Sequence, residues 1–520
     1  MRKKLQRRSC GILVHVTSLP GPYGVGDLDS ACVFLDFLEQ AGQSYWQFLP
    51  TGVGCGAFGH SPYMSLSAFA GSPLLISPNF LLEKGLLLKE DLAASTFFSE
   101  YAVDFQAVSD FKGRLLLKAF QYFDALALYH DAFDEFAREH AAWLDDYALF
   151  MSLREKFGSR PWYEWPRDLA RHEEKSLAAA ARELADSIRF HKFVQFVFFA
   201  QWRRMRQAAT RKKISLIGDI PIYVGNDSAD VWANQACFDL DSKTMKPRYV
   251  AGVPPDYFSA TGQRWGNPLY LWQQGGKPNP RLYQWWSQRF AHIGKMVDVV
   301  RIDHFRGFAS YWRIPEEEKT AVNGKWIKGP GAEFFHQVAE SIKNLVIIAE
   351  DLGVITPDVE ELRDSLGFPG MKILQFAFEP DEANIYLPHN YSTTNCVVYT
   401  GTHDNDTTVG WYFDGAVSAV AKDRARRYAN SDGGVIHRDF IRMAYSSVAN
   451  LAVVPLQDAL GFGSDCRMNR PSVSEGNWAW RCASRFLTND LARYLADEAV
   501  FYGRRRGDEL KGDFDEGTGF

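Results

Sequence analysis

An excess of charge of one sign is the first thing this 520-residue chain lacks: 58 Lys and Arg stand against 63 Asp and Glu, a formal net charge of −5. Gripping a phosphate backbone requires clustered positive charge, so nucleic-acid binding is not expected to be its function. Cysteine is sparse too. The seven, Cys10, Cys32, Cys55, Cys237, Cys396, Cys466 and Cys482, are scattered, odd in number and never spaced Cys-x-x-Cys. That pattern excludes a full disulfide framework and fits separate thiols in a reducing compartment. Long apolar runs are missing as well. The longest, 193–200, is interrupted by Gln195 and falls far short of the about 20 residues that span a bilayer. Met1 to Arg8 is basic like the start of a signal peptide, but the apolar stretch 11–16 is broken by His15 and no small-x-small cleavage site follows. A cytoplasmic protein with no membrane partner is the expectation.

What is abundant is aromatic. With 46% hydrophobic and 23% charged residues the composition is globular, but Phe, Tyr and Trp reach 14%: 38 Phe, 22 Tyr and 15 Trp. Such rings either fill a large core or line a groove for flat ligands. The length is compatible with about three domains of about 150 residues, or with one large α/β barrel carrying insertions.

Short β-branched or apolar runs recur at 12–16, 45–49, 214–217, 297–302, 345–349, 372–376, 397–399 and 451–455. Amphipathic helical stretches such as 332–343 and 358–365 lie between several of them. Strands apolar on both faces that alternate with helices read as a parallel sheet covered by helices. Eight units predict a (β/α)8 TIM barrel, with a doubly wound sheet as the alternative. Roughly 165 residues separate the second run from the third, and about 80 the third from the fourth, far beyond ordinary connections. The chain 1–520 is therefore predicted to be one catalytic barrel. A helical insertion occupies 85–200, and an aromatic, loop-rich insertion at 223–295 lies over the active site. The polar, Gly-rich tail 503–520 is expected to fray.

Barrels of this kind carry their chemistry at the C-terminal ends of the strands. Here four such ends close on carboxylates: Asp219; Asp303, within Arg301-Ile302-Asp303-His304-Phe305-Arg306; Glu350-Asp351; and Asp404 with Asp406, within Thr402-His403-Asp404-Asn405-Asp406. Each alone could cap a helix. Four converging carboxylates repel one another and demand a use. A metal site with His304 and His403 is one use; glycoside chemistry, in which two carboxyls flank the scissile bond, is the other. Arg301 and Asp303 share one side of a strand at i, i+2. A guanidinium there keeps a carboxylate ionised and repels a metal cation, which favours the sugar reading. Gly54-x-Gly56-x-x-Gly59 matches the dinucleotide fingerprint by spacing, but Ser61-Pro62-Tyr63 follows where a helix should open. No cofactor is expected.

These residues resemble the 4-α-glucanotransferases (amylomaltases, disproportionating enzymes) of glycoside hydrolase family 77. The resemblance runs through Ser18-Leu19-Pro20-Gly21-Pro22-Tyr23-Gly24, Ser61-Pro62-Tyr63 and Gly218-Asp219-Ile220-Pro221-Ile222-Tyr223. It continues in Gly252-Val253-Pro254-Pro255-Asp256, the Arg301–Gly307 motif, Ala349-Glu350-Asp351-Leu352-Gly353, Pro369-Gly370-Met371-Lys372 and Gln375-Phe376-Ala377-Phe378. Thr402-His403-Asp404-Asn405-Asp406-Thr407 and Arg467-Met468-Asn469 complete it.

The resemblance implies a retaining transfer of α-1,4-glucan segments, with an α-glucan hydrolase as the alternative. It implies Asp303 as nucleophile, Glu350 as general acid and base, and Asp404 as stabiliser of the reacting ring. Tyr63, Asp219, Trp265, Arg301, His403 and Asn469 become substrate-binding residues. Segment 252–265 becomes a loop over the acceptor groove, with Tyr257, Phe258 and Trp265 as its rings. It also implies α-1,4-glucan partners, no metal, and a monomer or weak homodimer. His60, Glu379 and Ser472 stand where the family usually has Asp, Asp and Gly.

Overall fold

The computed structural model describes residues 5, 8–93, 97–127, 129–255, 259–471, 473 and 475–505. Each of the eight apolar runs lies in or against one strand of a single parallel sheet. The strands are β1 (Ser9–Leu13), β2 (Tyr45–Gln47), β3 (Ser215–Pro221), β4 (Val299–Asp303), β5 (Val346–Ala349), β6 (Gly370–Ile373), β7 (Cys396–Tyr399) and β8 (Leu451–Pro455). Neighbours in sequence are neighbours in space, and β8 pairs with β1. Between β5 and β6 the ladder narrows to one backbone bond, Ala349 N–H to Pro369 O at 2.9 Å, reinforced by Met371 N–H donating to Asp351 Oδ1 at 2.7 Å. The sheet thus closes into a barrel, which leaves no exposed edge. Strands β1, β5, β7 and β8 are buried along their whole length, as expected of apolar runs packed on both faces.

Most strand boundaries shift by a residue or more from the sequence reading, and two strands show why. β1 ends at Leu13, because the chain leaves the ladder after Val14 N–H bonds Gln47 O and enters a 3-10 turn at Val16–Ser18. β6 starts at Gly370 and ends at Ile373, because Leu374–Phe376 forms another such turn. That turn aims the Gln375 amide at Asp406 O, 2.8 Å away. Apolar character continued in both places, but the hydrogen bonds did not.

Three long helices fill most of the 85–200 segment: α1 (Phe105–Ala125), α2 (His130–Lys156) and α3 (Ala185–Arg211). Asp104 caps α1 by accepting from Ala107 N. Much of the aromatic excess is consumed here, where Phe120, Phe123, Phe133 and Phe193 pack ring against ring. α3 runs unbroken past residue 200, and its last turns belong to the barrel. Met205 and Ala209 are buried, and Trp202 Nε1 donates to Met296 O at 3.1 Å.

Residues 223–295 behave similarly. They end in helix Pro280–Met296, which packs against β4. The remainder contributes Tyr249–Val253 and Gln263–Pro268 to a four-stranded antiparallel accessory sheet. Its other two strands, Ser310–Pro315 and Lys325–Lys328, come from the β4–β5 connection, which the sequence did not mark as an insertion. Among the described residues no helix is long and apolar enough to cross a membrane.

The tail is anchored further than its polarity suggests, and Gly503 to Arg505 correct the frayed-tail expectation; 506–520 lie outside the described residues. Arg504 is completely buried. Its guanidinium donates to five carbonyls, Ser9, Ala444, Tyr445, Ser447 and Ala449, at 2.7–3.2 Å. Several of these lie at the end of helix Ile436–Ser446, where orphan carbonyls and the helix dipole favour a cation. Arg504→Ala should therefore cost about 3 kcal/mol or more, since several buried acceptors lose their donor at once. Urea unfolding checks this, with Arg504→Lys recovering only part of the loss.

Candidate active site

Parallel register builds the centre of the site. Asp219 on β3 lies opposite Arg301 on β4, and Pro221 opposite Asp303. Arg301 and Asp303 point the same way, so one guanidinium nitrogen serves two carboxylates: Arg301 donates to Asp219 Oδ2 at 2.6 Å and to Asp303 Oδ1 at 2.9 Å. The arginine side chain is 3% exposed and that of Asp303 29%. This bond uses Oδ1 of Asp303 and leaves Oδ2 free.

Tyr63 extends this network. Its hydroxyl donates to Asp219 Oδ2 at 2.8 Å and lies 2.9 Å from His403 Nε2. With its single proton given to Asp219, the hydroxyl must accept from His403, so the proton of the imidazole sits on Nε2. Burial lowers the His403 pKa, which keeps the ring neutral. Tyr63 and His403 stack at 5.3 Å, 13° from parallel, and Trp478 leans on both.

Glu350 lies one residue beyond β5. His304 N–H donates to its Oε2 at 2.7 Å and Leu352 N–H to its Oε1 at 3.0 Å. His304 has a left-handed backbone, φ +52°, and that turn aims its N–H at the carboxyl. Burial pushes the Glu350 pKa up to about 8; Arg301 pulls it back while the charge of Asp303 adds to the rise. Burial raises Asp219 as well, against the pull of Arg301. Asp219 accepts from the guanidinium at 2.6 Å and from the Tyr63 hydroxyl, and both favour its charged form against burial.

Asp404 follows β7 in a loop. Asn469 Nδ2 donates to its Oδ1 at 2.6 Å, Arg467 donates to its main-chain carbonyl at 2.6 Å, and its Oδ2 stands 3.5 Å from His403 Nε2. The side chain is 47% exposed. Trp265, on the accessory strand Gln263–Pro268, meets His304 edge to face at 4.8 Å. Burial pushes His304 down to about 3, so this ring too is neutral.

The residues singled out in the sequence thus converge. Asp219, Arg301, Asp303, Tyr63, His403, Asp404 and Asn469 form one connected network, with Glu350 beside it and Trp265 reaching it through His304. Asn469 is engaged with Asp404 and does not stand free. Tyr257 and Phe258 lie outside the described residues, as does Ser472. His60 takes a left-handed φ of +58° and stacks on Phe105 at 4.4 Å, while Gly56–Phe58 makes one short turn and opens no helix. Glu379 receives the Ser418 hydroxyl at 3.5 Å, away from the carboxylates. Among the described residues no three His, Cys, Asp or Glu side chains gather as a metal-ligand cluster. Sequence reasoning missed Trp478 and the part played by Arg467. Trp478 has φ +66°, rare for a bulky residue, and nothing in its Gly- and Ser-flanked segment marks that strain.

Known proteins resemble this chain over most of its length. The family model described as 4-alpha-glucanotransferase matches residues 14–488. A 4-alpha-glucanotransferase from Synechocystis sp. is 47% identical over 510 residues, covering 96% of this chain and 99% of that protein. One from Thermus thermophilus is 47% identical over 487 residues, covering 91% and 94%. Among solved structures, amylomaltase from Streptococcus agalactiae in complex with acarbose superposes with a TM-score of 0.91 at 36% identity, covering 96% of this chain and all of that one.

Tyr63→Phe isolates the hydroxyl at the network's centre. The ring still stacks, but Asp219 loses a donor and His403 an acceptor. Losing hydrogen bonds of about 1–1.5 kcal/mol should lower kcat roughly tenfold. Steady-state kinetics with maltotriose should show KM changed by less than about threefold, a smaller effect than on kcat.

Proposed function

The chain belongs to the 4-alpha-glucanotransferase family, glycoside hydrolase family 77, and from that premise we propose how its residues carry out the transfer. The enzyme moves α-1,4-glucan segments from a donor chain to an acceptor sugar with retention at the anomeric carbon. In the first displacement the free Oδ2 of Asp303 attacks that carbon. The bond to the leaving 4-oxygen breaks, and Glu350 gives that oxygen its proton. In the second, the acceptor 4-hydroxyl loses its proton to Glu350 and attacks the same carbon, releasing Asp303. Asp404 holds hydroxyls of the reacting ring through its Oδ2, in an orientation set by Asn469 and Arg467.

The observation that carries this assignment is the opposite treatment of two neighbouring carboxyls. Asp303 is bonded to a buried guanidinium, as a nucleophile requires, while burial drives Glu350 toward its protonated form, as an acid requires. Tyr63, stacked on His403, supplies an aromatic floor for the reacting sugar. Trp265 overhangs from the accessory sheet. With it we assign a cover that holds the acceptor while excluding water; residues 256–258 of the same segment lie outside the described residues. Seven free thiols support a reducing, cytoplasmic setting, and we assign a monomer or weak homodimer.

Incubation with maltotriose separates transfer from hydrolysis. A ladder of longer chains with little gain in reducing ends is expected; glucose and maltose with a matching gain would mean a hydrolase. The pH dependence follows from Glu350. The acid must carry its proton, so kcat/KM should be full below about pH 8 and fall above it as the proton is lost. Glu350→Gln should remove that alkaline limb together with at least about 99% of the activity. Trp265→Ala should raise the share of hydrolysis, read as reducing ends released per transfer event. An unchanged share would remove Trp265 from the cover.

A further inference from the structure

Arg306 stands three residues beyond Asp303, in the 3-10 turn Phe305–Phe308, and is 6% exposed. All the partners of its guanidinium are uncharged. One terminal nitrogen donates to Val354 O, the other to Ser310 Oγ at 3.2 Å, and the plane lies 3.9 Å over the centre of the Trp326 ring. Its Nε has no partner. Burial lowers the Arg306 pKa, with the charge of Asp358 acting in the opposite direction. A guanidinium taken out of water without a carboxylate to pair with is expensive. The family motif around Asp303 gives no reason for it.

The positions it joins supply one. Val354 lies four residues past Glu350, beyond Gly353 at φ +83°, on the loop that carries the acid. Arg306 itself lies on the loop that carries the nucleophile. Two other contacts link these loops, His304 N–H to Glu350 Oε2 and Phe305 N–H to Glu350 O, and both act next to the carboxyl. Arg306 therefore holds the far side of the acid loop. Trp326 holds Arg306 in turn. It lies on Lys325–Lys328, the outer strand of the accessory sheet, braced by Trp312 at 5.2 Å, and remains 40% exposed. A flat cation on a tryptophan face, donating in two directions, is geometry that lysine does not reproduce.

We infer that Arg306, seated on Trp326, is a positioning residue that fixes the Glu350 loop against the Asp303 loop and so holds the general acid in register with the nucleophile. This rests on Glu350 being the acid.

The test compares Arg306→Lys, Trp326→Ala and Trp326→Phe with the unaltered enzyme, on maltotriose across pH. Glu350 faces Arg301 and Asp303 from β4 and His304 and Leu352 from its own surroundings; none of these is changed. Lysine keeps the charge of Arg306, and Trp326 is exposed enough to replace without opening the core. Arg306→Lys and Trp326→Ala should each lower kcat about tenfold with KM within about twofold. Both should move the alkaline limb to lower pH by about half a unit or more, as the loosened Glu350 gains solvent. Trp326→Phe keeps a ring under the guanidinium and should stay near the unaltered enzyme. The double variant Arg306→Lys/Trp326→Ala should be no worse than the poorer single one, because the two act as a unit. Unchanged kcat and limb in Trp326→Ala would overturn the inference; so would a loss carried by KM with the limb unmoved. Should Arg306→Lys fail to fold, Trp326→Ala and Trp326→Phe decide it. Glu350→Gln, run alongside, separates the two levels. If it keeps the activity and the limb, the acid assignment fails. If it abolishes both while the Arg306 and Trp326 variants behave as the unaltered enzyme, only the positioning inference fails.

Discussion

A buried guanidinium between two carboxylates is the constraint on which the rest of the site depends. Arg301 is nearly sealed from water, so its charge must be met inside the barrel, and the parallel register brings Asp219 from β3 and Asp303 from its own strand to meet it. Two carboxylates against one cation leave the pocket with one negative charge. Burial is the main reason that Glu350 holds its proton, with Arg301 opposing it and the charge of Asp303 adding to it. The neutral imidazoles of His403 and His304 follow from the same dry surroundings. Tyr63 completes the arrangement by donating to Asp219 while accepting from His403, so one side chain joins the aromatic stack to the charged network beneath it.

The insertions take their meaning from that pocket. The accessory sheet is assembled from two connections, one after β3 and one after β4, and so it spans the strands that carry Asp219 and Asp303. One of its strands brings Trp265 to His304, and its opposite edge brings Trp326 to Arg306. The near-neutral overall charge suits an uncharged polysaccharide, and most of the aromatic rings belong to the core. Four rings border the carboxylate network or the loops beside it: Tyr63, Trp478, Trp265 and Trp326.

The barrel was legible because its strands are short, mostly apolar runs, with β1, β5, β7 and β8 buried along their whole length. The carboxylates were legible because they end those runs. Boundaries were less so: at 14–16 and 374–376 apolar character outlasts the ladder, since burial and hydrogen bonding are different demands. The strands Ser310–Pro315 and Lys325–Lys328 escaped notice because they are short, tryptophan-bearing and separated by a charged turn. Arg504 looked like tail chemistry, yet it satisfies carbonyls from distant parts of the chain. Arg306, Arg467 and Trp478 share that difficulty. Their partners lie on other loops, and a linear pattern carries no record of what a long side chain reaches.

The account stands or falls on a covalent link at Asp303. A fluorinated maltooligosaccharyl fluoride, whose good leaving group needs no acid and whose fluorine slows the second displacement, should trap the glycosyl-enzyme. Proteolysis and mass spectrometry would locate it. The account predicts one glycosylated peptide, with the sugar on Asp303, and no adduct in Asp303→Asn. An enzyme that turns the fluoride over without accumulating an adduct, or that carries the sugar on Glu350 or Asp404, would contradict it.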